Sequence, residues 1–345
     1  ALPQTFSQGT VGSYGAGYIA GGRAPGTIST VDRIDYANDT SVASTRGPLS
    51  TARVNITGTG NASHGYFAGG ESTAPANLST IDRIDYANDT ATSSLKGNLS
   101  VARYSLAAVS NVNFGYFGAG NSPSSVTTVD RLDYGSDTTN AVTKGPLDTA
   151  FGHLSAVGNK SYGYFVTGYA PSYTSKVQRI DYNNDTATAV EKGPLSSSRY
   201  GVGATGNEDF AWLGGGSQSP GKVTLVDRIT YANDTATASP KGPLAGAGRR
   251  RQSANGNRNY GYICGGGTPS EVSTVDRIDY SNDTAIASIR GSLTAAKADT
   301  GSSSARSNAL PIIGSTVSEF TNIVTRQNYP SSQRGYFGGG SEIGD

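Results

Sequence analysis

The chain has 345 residues, with 27 basic and 26 acidic side chains, a net charge of +1, 47 glycines, 20 tyrosines, two histidines and one cysteine. So even a charge balance argues against nucleic acid or an anionic membrane surface as partner, and a lone cysteine excludes an intrachain disulfide framework. No apolar run reaches the roughly 18 residues that a membrane-spanning helix needs, so no membrane insertion is expected.

The start, Ala1-Leu2-Pro3-Gln4, has neither a charged nor an apolar leader segment, and the absence of methionine suggests a processed product or a fragment of something longer. The first readable element is the aromatic-glycine run Gly17-Tyr18-Ile19-Ala20-Gly21-Gly22. After a short variable stretch comes Val31-Asp32-Arg33-Ile34-Asp35-Tyr36, with Ala37-Asn38-Asp39-Thr40 directly behind it. Nearly the same decapeptide returns at 81–90, 129–138, 177–186, 226–235 and 275–284. The aromatic-glycine runs begin at Gly17, Gly65, Gly115, Gly163, Ala211, Gly261 and Gly335, with spacings of 48, 50, 48, 48, 50 and 74. A unit of about 49 residues matches one four-stranded propeller blade.

Within the third unit, strand a is expected over 102–109, strand b over 115–120, strand c over 129–134 and strand d over 138–144. Asn and Asp tolerate left-handed backbone and bond their own main chain, so Asn-Asp-Thr between c and d reads as a tight hairpin. A sheet this small cannot bury both faces alone, whereas stacking blades around an axis covers both. The expectation is therefore an all-β, single β-propeller domain over 1–345. Its blades are placed at about 1–49, 50–99, 100–147, 148–195, 196–244 and 245–293, with a degenerate seventh over 296–345. Six blades plus a C-terminal extension is the alternative.

The order of arginine, aromatic, Gly-Gly, variable loop and a strand ending in Asp-Tyr, as in Arg53, Tyr66, Gly69, Gly70, Asp85 and Tyr86, resembles the Kelch repeat, whose units form six- or seven-bladed propellers. The tryptophan that Kelch blades usually carry is replaced here by Val42, Thr92, Asn140, Thr188, Thr237 and Ile286. The repeat is also similar to tandem-repeat proteins of marine bacteriophages, on the strength of Gln333-Arg334-Gly335-Tyr336-Phe337-Gly338-Gly339-Gly340. That resemblance implies a place on the virion surface.

Arg33, Arg83, Arg131, Arg179, Arg228 and Arg277 recur at one position of strand c, which marks a structural layer in which arginine and aspartate pair within or between blades. Asn-Asp-Thr also forms a glycosylation sequon at Asn38, Asn88, Asn184, Asn233 and Asn282, but turn chemistry accounts for it more simply. His64 and His153 are too few and too far apart in sequence for a multi-histidine metal site, and no nucleophile elbow or P-loop is present. Neither catalytic residues nor a cofactor are expected. Cys264 reads as a core thiol.

The b–c loops differ in every unit whereas the c–d connections are nearly identical, so one face of the disc is varied and the other repeated. Recognition concentrates in loops on rigid scaffolds, which singles out Arg23, Glu71, Tyr169, Tyr173 and Lys222 as candidate ligand contacts. The expected function is a non-enzymatic, extracellular virion appendage: a tail fibre, spike or decoration module. Its expected partners are other virion proteins and a host-surface glycan or protein. A purely structural module that packs against copies of itself, a homo-oligomer, is the alternative.

Overall fold

A computed structural model describes residues 15–73, 77–169 and 171–304. These residues form six four-stranded antiparallel sheets, each an up-and-down meander a–b–c–d. Strands b and c of the first blade are Ala16–Ala20 and Val31–Asp35, and strand d is Ser44–Arg46. Its innermost strand comes from the far end of the described chain: Gly301–Ser304 pairs antiparallel with Ala16–Ala20, placing Tyr18 opposite Ser303. The other innermost strands are Thr57–Gly60, Ala107–Ser110, Ser155–Gly158, Gly203–Gly206 and Ser253–Gly256. Each touches its neighbours, and Gly301–Ser304 touches both Thr57–Gly60 and Ser253–Gly256, so the ring closes.

The propeller has six blades, not seven. The strand assigned by sequence to a seventh blade is instead the inner strand of the first, because an open blade 1 would leave Ala16–Ala20 with an unpaired edge at the axis. The propeller lies within residues 1–310; the unit that follows, 311–345, lies outside the described residues, as do the strands expected within it.

Side chains alternate along each strand, so every blade presents one apolar set to each neighbour. Tyr18, Ala20 and Val31 pack with Ile56, Phe67 and Ile84 of the second blade. On the opposite face, Ile19 and Ile34 pack with Tyr262, Cys264 and Val275 of the sixth. There are six such cores, one at each blade junction. The Kelch tryptophan has no counterpart at these junctions, where aromatic stacks form instead. Tyr18 lies on Tyr86, Tyr66 on Tyr134, Tyr116 on Tyr182, Tyr164 on Tyr231 and Tyr262 on Tyr36, with centroids 4.7–5.0 Å apart. Trp212 takes the tyrosine's place over Tyr280 at 4.0 Å.

The c–d connection is not a tight hairpin. A 3₁₀ turn, Tyr36–Asn38 in the first blade, follows strand c, and the Asp35 carboxylate caps it by accepting from the Ala37 amide at 3.0 Å. Strand d accordingly starts later than expected, at Val142–Thr143 in the third blade. Strand a is also shorter, Ala107–Ser110, because Ser105 adopts a left-handed φ of 54° that breaks the extended run. The Gly21-Gly22 pair has φ of 63° and 100° and lies against the next blade, where the Gly22 amide donates to the Arg53 carbonyl. Crowding at the blade junction, not at the axis, is what favours glycine there.

Candidate functional site

The six strand-c arginines each reach the aspartate of the Asn-Asp-Thr turn in the following blade. Arg33 pairs with Asp89, Arg83 with Asp137, Arg131 with Asp185, Arg179 with Asp234, Arg228 with Asp283 and Arg277 with Asp39, all at 2.7–2.9 Å. The strand-b aromatic donates to the same carboxylate: the Tyr66 hydroxyl to Asp137 at 2.9 Å, and the Trp212 indole to Asp283. Burial, reinforced by that carboxylate, holds the Tyr66 phenol far above its ordinary range. A second layer lies within blades, where fully buried Arg53, Arg103, Arg199 and Lys297 pair with Asp82, Asp130, Asp227 and Asp32.

On the repeated face, polar groups turn inward on their own backbone. Asn61, Asn111, Asn159, Asn207 and Asn257 each accept two main-chain amides in the a–b turns. The aspartates that cap the 3₁₀ turns each accept one amide, and Thr230 in the fifth blade makes no capping bond.

The varied face is organised differently. Each b–c loop is a small hairpin, and its first residue bridges to the residue just before strand a: Glu71 to Val54, Asn121 to Tyr104, Tyr169 to Gly152, Ser217 to Tyr200, Gly267 to Arg250 and Arg23 to Ala298. One step further in, Asn55, Ser105, His153, Gly201, Arg251 and Asp299 all have φ between 54° and 66°. Each of their amides donates to the carbonyl of its counterpart in the preceding blade, from Asn55 to Asp299 around to Asp299 to Arg251, at 2.7–3.3 Å. This closed circle of hydrogen bonds frames the mouth of the central channel. Below it the channel is lined by small residues, among them Gly58, Ala108, Ala156, Ala204, Ala254 and Ser302.

The five residues singled out by sequence sit at the bases of these hairpins in four blades. Arg23 bonds Glu271 at 3.0 Å and Asp299 at 2.9 Å, so it is already engaged across the first and sixth blades. Glu71 accepts from the Asn55 side chain at 2.7 Å. Lys222 pairs through its backbone with Ser217 and has no ion pair among the described residues. Only Tyr169 and Tyr173 come together, with centroids 5.7 Å apart and Tyr169 45% exposed.

Sequence reasoning missed Tyr200, which stacks on Tyr173 at 5.4 Å and joins the two tyrosines to the channel mouth. The Arg250 guanidinium lies over the Tyr200 ring and bonds its hydroxyl. His153 meets Tyr200 edge-on at 5.9 Å, and its Nδ1 is hydrogen-bonded to the Ser105 hydroxyl at 3.1 Å. Burial, with Arg251 and Arg250 beside it, pushes the imidazole down to about 4, so it is neutral at pH 7. Among the described residues no carboxylate bonds this imidazole, which leaves the pair short of a nucleophile-activating triad. The circle is hard to see in sequence because its six members differ chemically. Only Asn55, Gly201 and Asp299 are types that readily take a left-handed backbone.

Fold and site together define a six-bladed β-propeller with one repeated face and one varied face around a polar channel mouth. A comparison with protein-family models finds none that matches the chain, and a comparison with curated proteins finds no match.

Proposed function

We propose that this chain is a non-enzymatic recognition module, a Kelch-like propeller carried outside a bacteriophage virion as part of a tail fibre, spike or decoration. On this reading its varied face contacts a glycan or protein on the host surface. The observation that carries the proposal is the division of labour between faces. The turn asparagines and capping aspartates of the repeated face are bound to their own backbone, whereas the other face gathers Tyr169, Tyr173 and Tyr200 beside a channel mouth with unequal polar groups. Large amphipathic rings on a rigid scaffold give contact area at little entropic cost, which suits recognition. The virion location rests on the repeat's resemblance to phage proteins.

A second reading, an assembly module, has its own observation. Val42 and Ile286 are 63% and 67% exposed at equivalent positions of adjacent blades, in the repeated c–d connections. Glycan-array and cell-binding measurements on the isolated protein separate the two. Loss of binding by roughly tenfold or more in the Tyr169→Ala/Tyr173→Ala variant supports recognition, since truncating a central aromatic contact commonly costs over 1 kcal/mol. Self-association that Val42→Ser/Ile286→Ser abolishes, with no host binding, supports assembly. Cleavage of a surface polysaccharide by the purified chain overturns both.

A further inference from the structure

We infer that the channel mouth is a subsite for the carboxylate of an acidic sugar, with the sugar ring lying outside on Tyr169 and Tyr173, which the buried Tyr200 backs; this rests on the recognition reading above. The circle of six left-handed residues carries five side chains and one gap. The gap is Gly201, between His153 and Arg251 in the circle and next to Tyr200 in the chain. The positive groups on that side are Arg250 and Arg251. Arg250 has no ion pair among the described residues, and its visible polar partner is the Tyr200 hydroxyl. Arg251 reaches Asp299 only at 3.4 Å, while Asp299 is also held by Arg23 at 2.9 Å. The buried Arg251 Nε has no hydrogen-bond partner. Arg23 and Arg251 share Glu271 and Asp299, and Glu71 is held by Asn55 across the mouth, so Arg250 is the cation there without a carboxylate partner among the described residues. A guanidinium without an ion pair, as at Arg250, is a ready partner for a carboxylate.

The neutral groups fit the rest of a sugar. Gln252 lines the mouth, but its side chain is buried and its Nε2 donates to the Gly214 carbonyl at 3.2 Å. Ser105, Asn55 and Thr300 line the same cavity. The cavity at the mouth is about 70 Å³. That admits a few water-sized groups and not a pyranose ring, so one substituent enters while the ring stays on the tyrosines. An acidic peptide would find the carboxylate site but would leave the aromatic platform and the neutral polar lining unused.

The test is a titration of the whole protein with D-glucuronate, N-acetylneuraminate, D-glucose, glucose 6-sulfate and a tetraglutamate peptide, followed by calorimetry or ligand-observed NMR. Wild type is expected to bind a carboxylated sugar at least tenfold more tightly than glucose. Arg250→Gln should remove that preference while leaving the unfolding midpoint unchanged, and Tyr169→Ala should weaken the acidic and neutral sugars together. Equal affinity for glucuronate, N-acetylneuraminate and glucose overturns the carboxylate subsite but leaves glycan recognition standing. Tighter binding of the peptide, or a preference for the sulfate ester over both carboxylated sugars, also overturns it. Binding to no sugar, alone or on an array, removes the recognition reading as well. If Arg250→Gln lowers the midpoint, Arg250→Lys replaces it. Retained charge with the bidentate fork lost should still weaken the carboxylated sugars several-fold, and unchanged affinity counts against the subsite.

Discussion

At the scale of single residues, the fourth blade shows how the inner charge layer works. Where four other blades place arginine before strand a, it has buried Phe151, and where they have aspartate it has Gln178. Gln178 then bonds the Thr149 amide and carbonyl at 2.7 and 3.1 Å. Both charges are lost together because either one alone would be buried without a partner. The same logic predicts that Asp130→Gln costs about 3–5 kcal/mol, whereas Arg103→Phe/Asp130→Gln recovers most of it. Urea denaturation of both variants and of Arg103→Phe gives the coupling energy, and additive losses would count against this account. His153 gives a pH signature. Its folded pKa lies near 4 against an ordinary 6.5, so the unfolded chain holds the extra proton between those values and stability falls as pH drops through that window. Between pH 7 and pH 4 the wild type should lose on the order of 2 kcal/mol more than His153→Gln, allowing for partial exposure of the ring. Parallel pH profiles for the two proteins would refute the assignment.

At the scale of elements, the blade junction is a backbone joint closed by glycine. After strand d the Gly47 amide donates to the Asp89 carbonyl of the next blade at 2.9 Å, and the same bond recurs at Gly97, Gly145, Gly193, Gly242 and Gly291. A Cβ on Gly47 would stand 1.9 Å from the Ala91 carbonyl oxygen, whereas one on Gly26, at the tip of a b–c hairpin, would meet nothing within 4 Å. Gly47→Ala should therefore destabilise by roughly 2 kcal/mol or more through a forced shift of backbone, and Gly26→Ala by no more than about 0.5. Thermal unfolding of the pair checks this; equal midpoints would mean that the joint is not tight. These elements were largely legible in the sequence, because alternation and turn residues act over a few positions. The caps were not: in Val31-Asp32-Arg33-Ile34-Asp35-Tyr36 the two aspartates look alike, yet Asp32 is buried against Lys297 and Asp35 caps a 3₁₀ turn. Which carboxylate meets which cation depends on the neighbouring blade.

At the scale of the molecule, closure relies on Gly301–Ser304 filling the inner position of the first blade. A chain truncated after Ala298 loses a row of inter-strand hydrogen bonds, each contributing about 0.5–1.5 kcal/mol, and uncovers a sheet edge. It should unfold at lower denaturant and associate on size exclusion; a monomer with the wild-type midpoint would show that the seam is dispensable. The repeat, the four-strand unit and the contrast between faces followed from sequence alone, since they depend on period, alternation and local turn chemistry. Blade number and the channel mouth were decided only in three dimensions. Closing the ring brings residue 301 against residue 20, across nearly the whole described chain. It also brings six chemically unlike residues into one hydrogen-bonded circle, a likeness of backbone conformation that side-chain identity does not disclose.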